Sequence, residues 1–223
     1  MAIPKVIYQT FKSTQLPFIT RWHISRMRKK NPDYAYEFYD DARIEQFLEE
    51  DYDQEVVRAY RKIQIGAVKA DFFRYTILYK KGGIYLDIDS RIAKKLDDFI
   101  RPDDEAIISF ENNNEQFYVQ WGLIYAPSHP FLEKTVELML DNIKANRFPH
   151  SSHEMTGPTV YTKAIRESLE QNPNIPYRLM GIDYNGNMKF KYPFNKLIYE
   201  KGEHWKEVQK TKPILRKDEN EFL

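Results

Sequence analysis

An α/β fold with a mostly parallel sheet is predicted by three observations. Strand-like and helix-like patterns alternate through the first two thirds of the chain. A glycine pair, Gly82-Gly83, closes a long helical pattern and opens the alternating run Ile84-Tyr85-Leu86-Asp87-Ile88-Asp89. No internal repeat, low-complexity tract or Gly/Ser linker divides the 223 residues, so the chain reads as a single domain. Sheets of this kind bind ligands at the carboxyl ends of their strands.

The elements follow in order. Ile3 to Thr10 is a first strand centred on Val6, Ile7 and Tyr8. Arg21 to Lys30 is a basic helix stopped by Asn31-Pro32. Tyr34 to Tyr39 alternates as a strand, and Asp40 or Asp41 can cap a helix through Ile44, Phe47 and Leu48. Glu55 to Lys81 has helical spacing at Val56, Tyr60, Ile63, Ala67, Ala70, Phe73 and Ile77, interrupted at Gly66 into two helices. Ile107 to Phe110 and Gly122 to Tyr125 are short buried strands, separated by a polar loop. Phe131 to Lys144 and Pro158 to Leu169 are amphipathic helices. From Lys189 the chain reads as irregular and basic, with nine Lys/Arg against three Glu up to Lys217.

Composition excludes several classes. A net charge of +1 argues against a nucleic-acid binder working by bulk electrostatics. Zero cysteine excludes a disulfide scaffold, Cys-ligated zinc and thiol catalysis, and is consistent with a reducing compartment. The N-terminal residues lack a signal-peptide run, and no stretch has the ~20 apolar residues of a membrane span. The expectation is a cytoplasmic protein, at most peripheral at the inner face of a membrane. Lys206, Lys210, Lys212, Arg216 and Lys217 would make that contact. The 15% aromatic share is high enough to furnish either core or a stacking surface.

The chemistry centres on Asp87 and Asp89. Read as strand residues two apart, they share one side of the sheet with Tyr85, while Ile84, Leu86 and Ile88 face the core. Two carboxylates so placed suit Mg²⁺ or Mn²⁺, with substrate phosphates completing the coordination. Asp71 and Arg74, three apart, lie on one face of the preceding helix and point toward the same cleft.

The segments Ile3-Pro4-Lys5-Val6-Ile7-Tyr8-Gln9-Thr10-Phe11, Ala70-Asp71-Phe72-Phe73-Arg74-Tyr75 and Gly82 to Asp89 resemble the sugar-nucleotide glycosyltransferases with a DxD motif. More narrowly they resemble glycosyltransferase family 32, which includes fungal mannosyltransferases, animal galactosyl- and N-acetylgalactosaminyltransferases and bacterial capsule or polysaccharide enzymes. The resemblance is clear over residues 1–90 and patchier to about 205. It implies a GT-A-type fold, with residues 1–110 binding nucleotide-sugar and metal, 111–205 forming the acceptor side, and 206–223 a basic tail.

It also implies roles. Asp87, Asp89 and His204 would hold Mn²⁺ or Mg²⁺ on the donor diphosphate. Asp71 and Arg74 would hold donor-sugar hydroxyls, and Tyr8, Gln9, Thr10 and Phe11 would border the nucleotide, with Tyr85 and Gly157 also lining the donor site. Thr156-Gly157-Pro158 resembles the family's second, smaller motif, and family members usually carry His at Tyr8. Gln120 would face the reacting sugar carbon, with Glu111 the second choice, and Trp121 would stack on a sugar face or belong to the core.

The implied reaction is metal-dependent hexosyl transfer with retention, from a nucleoside-diphosphate sugar to a glycan or lipid-linked saccharide. A UDP-hexose is favoured and GDP-mannose, the fungal donor, is the alternative. Two rival readings stand beside it. One is a phosphatase using Asp-x-Asp, which needs Thr or Val at Arg91. The other is an inactive sugar-nucleotide or glycan-binding module.

Overall fold

A computed structural model of the chain describes residues 2–112, 114–193 and 211–216. In chain order the described elements are β1 (Val6–Thr10), α1 (Phe18–Lys30), β2 (Ala35–Tyr39), α2 (Asp41–Asp51), α3 (Gln54–Lys62) and α4 (Gly66–Lys81). There follow β3 (Gly83–Leu86), β4 (Arg91–Ile92), a 3-10 turn at Leu96–Asp98, β5 (Ala106–Glu111), β6 (Asn114–Tyr118) and β7 (Gly122–Tyr125). The remainder comprises α5 (Pro130–Lys144), α6 (Ser152–Met155), α7 (Pro158–Gln171), β8 (Arg178–Met180) and β9 (Met188–Lys189).

The main sheet runs β2-β1-β3-β7-β5-β6, with β8 also on β5. β2, β1 and β3 are mutually parallel. β7 runs antiparallel to both β3 and β5, β6 antiparallel to β5, and β8 parallel to β5. Five strands therefore point one way and two the other, the mostly parallel α/β sheet expected from the sequence. Helices cover both faces. Tyr8, Tyr85, Ile108, Leu123 and Tyr125 face α2, α3, α4, α5 and α7. Ile7, Ile84, Leu86, Ile107 and Ile124 face α1 and the segment around Tyr184.

Local chemistry sets most boundaries. Asp40 Oδ1 accepts from Arg43 N at 3.0 Å and starts α2. Asp53 does the same for α3 through the amides of Glu55 and Val56. The break between α3 and α4 lies at residues 63–65, where Ile63 bridges to Leu215, and Gly66 is the first residue of α4 rather than the interruption itself.

The turn from α4 into β3 needs its glycines. Gly82 has φ +64° and Gly83 φ +107°, a region that L side chains rarely adopt. A Cβ on Gly82 would lie 2.7 Å from Pro127, and one on Gly83 2.7 Å from Val6 of β1. The pair therefore lets β3 lie directly against β1.

Three readings need correction. The polar segment after β5 is a strand, β6, because Glu111 bulges and lets the chain fold back on Phe110 through Tyr118. The segment around 188 is ordered by pairing of β9 with β4. Within the basic tail, residues 211–216 are not free: Ile214 is fully buried, and Arg216 N donates to Lys62 O at 2.8 Å. Lys206, Lys210, Lys217, His204 and Trp205 lie outside the described residues. Among the described residues no helix is long and apolar enough to cross a membrane.

Candidate active site

Strand β3 stops at Leu86 because the next residues bond elsewhere. Asp87 N donates to Trp121 O at 2.7 Å, Gln9 Nε2 donates to Asp87 O at 3.2 Å, and Ser90 N closes a turn on Asp87 O at 2.9 Å. Asp87 and Asp89 therefore meet on a turn at the carboxyl end of β3, not by alternation along a strand. Ile88 packs with Tyr192 rather than in the sheet core. Tyr85, Ile84 and Leu86 are all buried, since both faces of β3 are covered.

This turn and the end of β1 open on a cavity of about 440 Å³. Thr10 and Phe11 form one side, Gln64 to Lys69 at the start of α4 another, and Asp87, Asp89 and Tyr85 the floor. The N-terminus of α4 has no side-chain cap and no acidic residue in its first turn, and Ile65, Gly66 and Ala67 line the cavity, so the positive end of the helix dipole lies at this wall. A Cβ on Gly66 would meet nothing within 4 Å, so this wall is open space. Lys12, Lys69 and Lys191 add positive charge, and Lys69 pairs with Asp41.

Beneath the cavity lies a buried layer built on α4. Arg74 is 4% exposed. Its Nη2 donates to Asp87 Oδ1 at 2.8 Å, its Nη1 to Gln120 O at 2.7 Å and its Nε to Ala70 O at 3.3 Å. The guanidinium also lies 4.7 Å from the centre of the Tyr85 ring. Tyr85 Oη donates to the same Asp87 Oδ1 at 2.8 Å. Asp71, 5% exposed, receives Thr156 Oγ1 at 2.7 Å and Gln120 Nε2 at 3.5 Å, with Arg74 Nη2 3.4 Å away. Tyr75 Oη donates to Gln120 Oε1.

The electrostatics follow from burial. Desolvation pushes the Asp71 carboxyl up to about 6, against the pull of Arg74 and Thr156. Desolvation likewise raises Asp87, opposed by Arg74, Tyr85 and Lys191. Burial works against the charge on Arg74, but Asp87, Tyr85 and Asp71 outweigh it and hold it protonated. Both Asp87 contacts fall on Oδ1, so Oδ2 is the oxygen offered to the cavity.

The site thus sorts the sequence-expected residues. Thr10, Phe11, Arg74, Tyr85, Asp87 and Asp89 line the cavity together. Gln9 is 1% exposed and orients the Asp87 carbonyl. Tyr8 is core: it packs edge-on to Tyr39, because its side of β1 is covered by helices. Asp71 lies in the layer below the wall.

Gln120 spends its amide on Tyr75 and Asp71, so it is not placed to face a sugar in the cavity. Gly157 caps α7 away from the cavity, and its motif reaches the site through Thr156 on Asp71. Trp121 is buried and stacks on Phe190. The Glu111 carboxyl is pushed up by burial and by Asp183, with Arg74 pulling it down. Lys12, Asp41, Gln64, Lys69 and Lys191 were not anticipated; the only signal for this wall was the helix start marked by Gly66.

The donor set suits a hard divalent cation: two carboxylates at one turn, with one oxygen of Asp87 free of protein partners among the described residues. Two carboxylates are also the limit, since no group of three or more His, Cys, Asp or Glu that could hold a metal occurs among the described residues. The remaining positions would fall to phosphate oxygens and water.

Residues 20–112 match the family model described as a glycosyltransferase sugar-binding region containing the DXD motif. The chain is 28% identical over 198 residues to the initiation-specific alpha-1,6-mannosyltransferase of Schizosaccharomyces pombe, covering 75% of this chain and 49% of that one. It is 29% identical over 184 residues to an uncharacterized glycosyltransferase of Acanthamoeba polyphaga mimivirus, covering 82% and 72%. It is 37% identical over 98 residues to inositol phosphoceramide mannosyltransferase 3 of S. pombe, covering 43% and 27%. The chain therefore spans about half the length, or less, of the mannosyltransferases among these. Its fold is similar to that of the PaToxG glycosyltransferase, with TM-score 0.61 at 19% identity over 77% of this chain and 71% of that one. The UDP-bound glycosyltransferase domain of the YGT toxin gives TM-score 0.57 at 11% identity over 90% and 82%. Residues 20–112 thus match a glycosyltransferase region containing the DXD motif, with that motif at the Asp87 to Asp89 turn, and the fold around it is similar to that of solved glycosyltransferase domains.

Proposed function

We propose that this chain transfers a hexosyl group from a nucleoside-diphosphate sugar to an acceptor hydroxyl, with a divalent cation at Asp87 and Asp89 and retention at the sugar carbon. The observation that carries the reading is the cavity itself, where the paired carboxylates of the Asp87 to Asp89 turn meet Lys12, Lys191, the Lys69–Asp41 pair and an uncapped helix N-terminus. That pairing of a cation site with anion-binding groups suits a metal-bound diphosphate and suits a neutral ligand poorly.

Within this reading Thr10, Phe11 and the wall from Gln64 to Ala67 border the nucleoside, and Lys12, Lys69 and Lys191 meet the diphosphate. A divalent cation bound at the turn supplies charge neutralisation for the leaving diphosphate. Arg74 and Tyr85 act by fixing one oxygen of Asp87, so that its other oxygen faces the ligand in a set direction. Asp71, Thr156 and Gln120 hold Arg74 and the wall in place.

The names of the relatives make mannosyl the first sugar to test, from GDP-mannose; the UDP-hexose expected from the sequence is the other arm. The test is nucleotide release from a panel of GDP- and UDP-sugars with Mn²⁺ or Mg²⁺. Release from one donor, dependent on the metal, is the expected result. Metal-dependent binding of a donor with no release from any would instead favour the inactive binding module.

A further inference from the structure

On the far side of the DXD turn lies a second cavity of about 410 Å³. It shares Ile88 with the first cavity, and its wall contains Gln9, which holds the Asp87 carbonyl. Four cationic side chains line it: Arg26 and Lys30 from α1, Arg91 from β4 and Lys189 from β9. No aspartate or glutamate does. Among the described residues Lys30 Nζ donates to the Ala93 carbonyl and Lys189 lies near enough to Asp183 to lower its carboxyl, while no ion pair engages Arg26 or Arg91.

These groups come from three elements that the fold brings together. β4 and β9 pair through Arg91 and Lys189, and α1 packs beside β4. Packing four like charges around one concavity raises their mutual repulsion, which an anion relieves and water relieves only partly. A second feature points the same way. Ser90, 4% exposed, belongs to this cavity's wall, and among the described residues its buried Oγ has no hydrogen-bond partner. A buried hydroxyl without a partner is costly, and a ligand oxygen would satisfy it. The His23 ring in the same wall is lowered in pKa by burial and then by Arg91 and Arg26, in keeping with a positive potential there.

We propose that this second cavity is an anion site that takes a phosphate group, distinct from the donor diphosphate site. Several guanidinium and ammonium donors plus one hydroxyl match the oxygens of a phosphate better than those of a single carboxylate. A lipid headgroup and a soluble phosphate share this chemistry, and the test separates them.

The test is calorimetric titration with inorganic phosphate, beside co-sedimentation with phosphatidylcholine vesicles with and without 20 mol% phosphatidylinositol. The double variant Arg26→Gln/Arg91→Gln should bind phosphate at least ~10-fold more weakly than the wild type, about the loss of one charge-assisted contact. Ser90→Ala should lose about threefold. The double variant should keep the wild-type thermal midpoint and the wild-type rate of nucleotide release, so failure here and failure of the transferase reading show in different assays.

Sedimentation with phosphatidylinositol vesicles that the double variant loses assigns a lipid headgroup. Phosphate binding without sedimentation assigns a soluble phosphate; either result supports the site. Equal phosphate affinity in wild type and double variant overturns it. So does a loss that appears in Lys12→Gln/Lys191→Gln and not in the arginine variant.

Discussion

Helix α4 uses charge in two opposite ways between Lys69 and Arg74. Its first turn presents Gly66, Ala67 and Lys69 to an open cavity, and Lys69 reaches across to Asp41 on the rim. Its next turn buries Asp71 and Arg74 almost completely and spends their polar atoms on protein partners. In the proposed function the wall meets the donor, while the buried layer gives the wall its shape. Substitutions in the buried layer should therefore cost stability first, and substitutions on the wall should cost donor binding at unchanged stability.

The largest expected effect is at Arg74. Arg74→Met leaves Asp71 and Asp87 without their shared counter-charge and should destabilise the fold by about 3–5 kcal/mol. Urea unfolding measures this, and a loss below about 1 kcal/mol would break the contrast between the two turns. Thr156→Val is next. It removes the hydroxyl on Asp71 Oδ2 and should cost about 1–3 kcal/mol, read as a lowered thermal midpoint.

A pH dependence sharpens the same contrast. The Asp71 carboxyl sits at about 6 in the folded chain, above its ordinary value near 4. Between those values the native state holds more protons than the unfolded chain, so this group makes stability fall as pH rises through the window. Comparing melts at pH 4.5 and pH 7, Asp71→Asn should show a smaller loss on raising the pH than the wild type. An unchanged difference would show that Asp71 does not titrate as its burial requires. The smallest effect on stability belongs to the wall: Lys12→Gln should leave the melt unmoved and weaken donor binding about 3- to 10-fold.

Much of this arrangement was legible in the residues. Helical spacing from Val56 to Ile77 located α3 and α4, and the glycine pair located the turn into β3. The Asp87 to Asp89 motif marked the centre of the cavity. What pattern did not reveal depended on contacts between distant segments. The strand ending at Leu86 is set by Gln9 and Trp121, 78 and 34 residues away from Asp87 in sequence. The resemblance sets Tyr8 beside the nucleotide, yet helices cover its face of β1. Gln120 looked like a free amide in a polar loop until Tyr75 and Asp71, more than forty residues earlier, claimed both ends of it. The bulge at Glu111 that makes β6 leaves no periodic trace.

The central claim is that Asp89 and Asp87 Oδ2 together make a divalent-cation site essential to donor chemistry. The direct measurement is nucleotide release by wild type and Asp89→Asn across a Mn²⁺ titration, with the preferred donor and a melt of each protein. The account predicts saturable metal activation in the wild type and a loss of at least ~100-fold in Asp89→Asn, with the melt preserved. Wild-type rates in Asp89→Asn, or full activity in excess chelator, would contradict it.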